Sequence, residues 1–348
     1  RQMCIRDRFG LGSFTIGMGE EYMPLIPIIV TMCLAMRMDG VVAMGMVWIP
    51  YGIGWGCAGF NPFNVVIAQN IAGVPLMSGW EFRIVMMIAF LALGFHHLYR
   101  YARKVQADPS ESLVADVDYS SGFEAPHDIR LTEQHIAILV VFLAGLAFFV
   151  WGAQTHHWYV TELNTIFFGI GIVAALIARL SPSEISETFL DGAAKMAAPA
   201  LIVGFARAIA VVLEDGLVID TVVFSIASVL DGLPADVSAV GMLIVQSLCN
   251  FFIPSGSGQA FVTMPIMSPL ATLTGVPQQT AVLAFQFGDG FTNMIVPTNA
   301  LVIGALALGK VPYAVWFRFM ASLMLKILVL AAAFIVFSVH YGDKVGLY

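Results

Sequence analysis

Apolar positions along this chain fall in long runs, with polar positions gathered at their ends and at a few internal breaks. The runs Ile84–Leu98, Ile136–Trp151, Ile166–Leu180, Ala197–Leu213 and Met320–Val339, extended by their flanks, approach the roughly 20 residues of helix that cross a bilayer. The pattern predicts a hairpin tip and descending arm over 15–37, an interrupted helix over 41–73 and a span over 80–102. A polar stretch over 103–134 reads as a solvated cytoplasmic connector, and spans follow at 135–152 and 158–180. Residues 184–196 are amphipathic and read as an interfacial helix, followed by a span over 197–213 and a weaker segment at 217–231. A second hairpin over 236–275, an interrupted helix over 277–309 and a closing span over 313–340 complete the series.

Two stretches of this series match in order. One runs from Gly17-Met18-Gly19-Glu20-Glu21 through Gly54-Trp55-Gly56 and Asn61-Pro62-Phe63-Asn64 to Phe82-Arg83. The other runs from Gly256-Ser257-Gly258-Gln259 through Gly288-Asp289-Gly290 and Val296-Pro297-Thr298-Asn299 to Phe317-Arg318. Paired, interrupted apolar segments at corresponding places of two halves point to the binding site of a secondary transporter. The expected fold is an all-α polytopic membrane protein of inverted repeats, with re-entrant hairpins and interrupted transmembrane helices. Residues 9–102 form an incomplete first repeat, 103–134 the connector, 135–235 the scaffold spans and interfacial helices of the second, and 236–348 its hairpin, broken helix and closing span. Inversion follows from charge: Arg100, Arg103 and Lys104 put the end of the 80–98 run in the cytoplasm, so the connector 73–80 lies outside. With 197–213 as a span and 217–231 as interfacial, the matching connector 309–318, which carries Lys310 and Arg318, lies inside.

Composition agrees with a membrane protein. The chain is 59% hydrophobic and 11% charged, with mean hydropathy +0.86, against about 25% charged residues in a soluble domain. A net charge of −7 without a basic cluster excludes nucleic acid as a partner. Cys4, Cys33, Cys57 and Cys249 have neither disulfide nor metal-ligand spacing, so no metal site and no cofactor is expected. The octapeptide 1–8 is polar and joins abruptly to Phe9-Gly10-Leu11-Gly12, which already approaches a tip. It reads as foreign. By comparison with the second half, roughly 120 residues would then be missing before it, including the ascending arm of the first hairpin.

Backbone freed from helical bonding survives in lipid only where protein or water satisfies it. Gly56, Gly59, Asn61, Pro62 and Asn64 in one broken helix, and Gly288, Gly290, Thr292, Asn293, Pro297, Thr298 and Asn299 in the other, would free carbonyls and amides at mid-membrane. Freed carbonyls suit Na⁺, and helix N-termini favour anions. Ser255, Gly256, Ser257, Gly258 and Gln259 form a neutral tip rich in hydroxyls and amides, suited to a small carboxylate. The first tip, Gly17, Gly19, Glu20 and Glu21, carries two acids, which either favour a helix N-terminus or hold a cation, a proton or a substrate amine. Asp289 lies inside a span, where a charge costs at least ~2.5–3.5 kcal/mol unless paired or wet. An ion-coupling role, with Na⁺ or H⁺, is the reading taken. Arg207, with Glu214 and Asp215 about two turns on, reads as a set of structural partners.

On Gly17–Glu21, Asn61-Pro62-Phe63, Arg100–Ala115, Val211–Asp215, Pro254–Met267 and Phe285–Pro297, the chain resembles the YfcC family of C4-dicarboxylate anaerobic-carrier-like proteins. That family sits in the ion-transporter superfamily, beside the divalent-anion sodium symporters and p-aminobenzoyl-glutamate transporters. The resemblance runs from Phe9 to the C-terminus. It implies a scaffold and a transport domain, two opposed hairpins whose tips meet substrate, a homodimer, and a place in the prokaryotic inner membrane. It also implies ion-coupled or exchange transport of a small carboxylate-bearing metabolite. A four-carbon dicarboxylate or other organic anion is favoured, with basic amino-acid exchange as the alternative and an ion channel more remote. No HExxH, GxSxG or paired catalytic Asp motif supports an enzyme.

Overall fold

The computed structural model describes residues 2–119, 132–156, 160–218, 221, 225 and 233–347. Every regular element among them is helical. In chain order these are α1 (Gln2–Ile16), a 3-10 turn (Glu20–Leu25), α2 (Ile26–Ala35), α3 (Gly40–Gly56), α4 (Val65–Ile71) and α5 (Trp80–Ala107). After them come α6 (Glu133–His156), α7 (Val160–Ile177) and α8 (Pro182–Asp215). The remaining α-helices are α9 (Ala235–Phe252), α10 (Gly256–Thr274), α11 (Gln278–Thr292), α12 (Ala300–Leu308) and α13 (Tyr313–Tyr341), and short 3-10 turns lie at Pro109–Glu111 and Gly342–Val345.

The succession of helix, tip, helix, helix, break, short helix and long helix occurs twice, as α1–α5 and as α9–α13. Local chemistry sets the ends. Asp39 caps α3 by accepting from the Val42 amide at 2.9 Å, and Ser255 caps α10 by accepting from Gly258 at 3.3 Å. Asn64 and Asn299 cap the helices that restart after the breaks, and Gly275, at φ +71°, ends α10. Ahead of the first tip, α1 buries Phe9, Ser13 and Phe14. The side chains of residues 1–8, read above as foreign, lie outside those described, as do those of Arg207 and Glu214 and most of 217–231.

One expectation is corrected. Residues 184–196 and 197–213 are not an interfacial helix followed by a separate span, but one helix, α8. The stretch Ala193–Ala200 is rich in alanine, the best helix former, and carries the helix through. Ser181 and Glu184 start it with reciprocal bonds, the Ser181 amide to Glu184 Oε2 at 2.7 Å and the Glu184 amide to Ser181 Oγ at 3.3 Å.

The chain divides into two compact units, one of residues 1–123 with 199–348 and one of 124–198. In the smaller, α6 and α7 pack together with the Phe142 and Phe167 rings 6.2 Å apart. In the larger, α3 is buried along its whole length and α11 from Gln279 onward. A helix apolar all round, as α3 is, belongs inside, whereas α11 is buried together with Gln279, Gln286 and Asp289. Around this pair, α5 and α13 turn one face inward (Met86, Phe90; Trp316, Leu323) and leave large apolar residues outside, Val85 and Leu325 at 57% and 67% exposure. An apolar outer face on long helices is a lipid surface. Three helical stretches among the described residues, Trp80–Ala107, Ala235–Phe252 and Tyr313–Val345, are long and apolar enough to cross a membrane.

α3 and α11 cross near their C-terminal ends, glycine on glycine. A Cβ on Gly290 would run into the Gly56 backbone, and one on Gly56 would enter the Phe291 ring. Small residues at such crossings let backbones approach closely where lipid offers no hydrophobic drive to hold helices together. The two glycine-flanked motifs of the sequence are therefore one contact.

Candidate functional site

The middle residues of those motifs meet across the crossing. Trp55 donates its indole N–H to Asp289 Oδ2 at 2.8 Å, joining the two halves of the larger unit. Asn293, one turn along α11, donates to Asp289 Oδ1 at 2.9 Å. Asp289 is fully buried, and the ion pairs seen among the described residues, Lys104–Glu111 and His340–Asp236, do not include it. Its carboxylate thus rests on two neutral donors.

The second break is tied to α9 beside it. Asn250, on α9, donates to Asp289 O at 3.2 Å, Thr292 Oγ1 at 2.7 Å and Asn293 Oδ1 at 3.0 Å. The buried Asn250 Oδ1 has no donor. Asn299 donates to Asn293 Oδ1 at 2.7 Å while its own oxygen caps α12. Thr292 Oγ1 donates to Gly288 O, and Thr298 Oγ1 to Phe251 O at 2.6 Å, which ties the break to the end of α9. Pro297 is exposed.

The first break is built more simply. Asn61 donates to Ser13 O at 3.3 Å and accepts from the Phe63 amide at 2.8 Å, while Asn64 donates to Trp55 O at 2.9 Å and caps α4 through the Val65 amide. Pro62 between them is exposed. These bonds satisfy the backbone freed at the break, as burial demands. Gly17 turns the chain at φ +74° directly against the Asn61 side chain, where only glycine has both the conformation and the room.

Each tip leans on the opposite half. Gly19 lies against Tyr51 and against Leu301 in the first turn of α12; Gly256 lies against Trp55 and Asp289, so that a Cβ there would be 3.1 Å from Asp289 Oδ2. The start of α10 thus presents its positive end to the buried carboxylate. Glu21 is buried with its Oε2 accepting from the Gly19 amide at 2.7 Å, which is the local helix-start role, whereas Glu20 is exposed. Tyr51 and Trp55, rings 5.8 Å apart, form an aromatic wall from the first tip to Asp289.

Of the residues expected at the site, Gly256, Asp289, Thr292, Asn293 and Asn299 come together, with Gly19, Glu20 and Glu21 near the far end of the aromatic wall. Gly17, Asn61 and Asn64 form a cluster of their own, reaching the centre through Trp55. Gln259 turns inward, donating to Gln246 O at 2.9 Å and Gln246 Oε1 at 2.7 Å, rather than toward the tip; Ser255 is spent on its cap, and Ser257 and Gly258 are half-buried beside it. Sequence reasoning left out Trp55, Tyr51 and Asn250. Trp55 lay inside a quoted motif, and its match to Asp289 in the other was the available signal.

A sequence profile of the C4-dicarboxylate anaerobic carrier family matches residues 3–340. The Escherichia coli K12 protein named "Putative basic amino acid antiporter YfcC" is 34% identical over 341 residues, covering 94% of this chain and 67% of that protein. A second protein of that strain, "Putative short-chain fatty acid transporter", is 25% identical over 253 residues, 71% of this chain and 56% of that one. The crystal structure of the Alcanivorax borkumensis YdaH transporter superposes with TM-score 0.51 at 15% identity, over 99% of this chain and 80% of that one, a likeness of fold.

Proposed function

This chain belongs to the C4-dicarboxylate anaerobic carrier family, and on that footing we propose that it is a secondary active transporter of a small carboxylate-bearing metabolite in the bacterial inner membrane. The observation that carries the reading is Asp289, a buried carboxylate held by neutral donors from both halves where two broken helices cross. Burying such a charge without a cation is costly, and inside a membrane it marks an ion or substrate path. A coupling cation, Na⁺ or H⁺, relieves the cost. For Na⁺ the ligands would be the Asp289 carboxylate and the undonated Asn250 Oδ1. The solute reaches the site at the two tips, and the two successions of helices act as inverted repeats within a homodimer.

A second reading concerns the solute. Glu20, Glu21 and Asp289 all lie within electrostatic reach of Tyr51, an acidic and aromatic setting that favours an amino group. The name of the Escherichia coli relative, a basic amino acid antiporter, agrees with that reading. Uptake by proteoliposomes across four-carbon dicarboxylates and basic amino acids, with and without Na⁺ and proton gradients and with internal counter-solute, separates the two. Saturable uptake of one class supports the carrier and names its cargo. Unitary currents would point to a channel, and no uptake by folded protein under any gradient would refute transport.

A further inference from the structure

Arg83 is fully buried in the first turn of α5, and no part of the site above uses it. Its guanidinium holds two amide oxygens, Gln286 Oε1 through Nη1 and Gln279 Oε1 through Nη2 at 3.1 Å, both from α11. Its Nε has no acceptor. Gln286 also donates to Ala58 O at 2.9 Å in the first break, and Gln279 to Ser78 Oγ; Gln69 of α4 donates to Ser78 O at 3.0 Å and accepts from the Met77 amide at 2.6 Å. The cluster thus gathers α4, α5, α11 and the 73–79 turn around one positive charge. Among the described residues, the hydrogen bonds of Arg83 run to these amide oxygens and none of the ion pairs includes it.

Buried arginines ordinarily sit on carboxylates, whose paired oxygens match the fork of N–H groups. Here two separate amide oxygens fill the fork, with the third edge donor left over. Two helix starts, those of α5 and α11, add positive potential at the same place. The surplus is therefore all of one sign, and its neutral partners are exchangeable for an anion.

We propose that Arg83 is a carboxylate-receiving group of the transport cycle, with the Gln279 and Gln286 oxygens as place-holders that a carboxylate of the solute displaces. This rests on the transporter reading and assigns the solute's acidic end to the α5–α11 cluster, apart from the acidic and aromatic wall at Tyr51 and Trp55.

The test is ligand binding to the purified protein, probed with succinate, with lysine and with cadaverine, which keeps the amines of lysine but lacks its carboxylate. Arg83→Met should weaken the carboxylate ligand that binds wild type by about tenfold or more, Arg83→Lys less, since a point charge replaces the fork. Cadaverine binding, where wild type shows it, should be unchanged. Gln279→Glu keeps the arginine and supplies a resident carboxylate, so it should raise the melting temperature while weakening succinate or lysine by a similar factor; it also decides the matter if Arg83→Met does not fold. A folded Arg83→Met or Gln279→Glu protein with wild-type carboxylate affinity would overturn the proposal and leave the transporter reading standing. Wild type that binds none of the probes would count against both.

Discussion

A carboxylate buried on two neutral donors, as Asp289 is on Trp55 and Asn293, is stabilised far less than one facing a cation, so its removal and its mispairing have opposite effects. Asp289→Asn keeps the size and one hydrogen bond while deleting the charge. Its thermal stability should equal or exceed that of wild type, because a buried charge without a cation costs more than the one hydrogen bond that the amide gives up. Trp55→Phe keeps the charge and removes its donor. That variant should lose about 1–3 kcal/mol in thermal unfolding, the penalty for leaving a buried acceptor unsatisfied. If Asp289→Asn were the less stable of the two, the carboxylate would be a structural anchor.

Element ends and crossings carry the next set of consequences. Gly290→Ala puts a methyl into the Gly56 backbone and should cost about 1–3 kcal/mol or more, read as a lower melting temperature, since neither helix can retreat without unpacking the other. Asn299→Ala removes the α12 cap and should cost about 0.5–2 kcal/mol. Outside the bilayer-facing helices, Asp108 accepts from the Ser110 amide and hydroxyl, and those bonds hold its carboxyl below the ordinary value of 3.8. The stabilisation of that turn is complete above pH 3.8 and is lost as the pH falls through the lower folded value; the Ser110 amide should keep its exchange protection until then. Most element ends were legible in the sequence because Pro, Gly and Asn mark them: the breaks after Gly56 and Thr292 and the restarts at Val65 and Ala300 fall where the motifs placed them. The continuity of α8 was not, since the change from an amphipathic to an apolar pattern near residue 197 read as a boundary, whereas the alanines there carry the helix on.

At the scale of the molecule, the repeated order of polar breaks in an apolar chain was enough to read a membrane transporter, and the motifs from Gly17–Glu21 to Phe285–Pro297 carried the resemblance to its family. What joins the halves was harder to see. Trp55 and Asp289 are far apart in sequence, and only the crossing of α3 on α11 makes them partners. Arg83 stands at a span end, where a cation ordinarily snorkels to water; its match in the second half, Arg318, is exposed, and nothing local distinguishes the two. Exposure is a property of the assembled helices. If Asp289 couples ion movement to solute movement, proteoliposomes holding wild type or Asp289→Asn will show it. Wild type should accumulate solute under an imposed Na⁺ or proton gradient, whereas Asp289→Asn should lose gradient-driven accumulation while still exchanging internal for external solute. Accumulation by Asp289→Asn at the wild-type rate and to the wild-type level would contradict the claim.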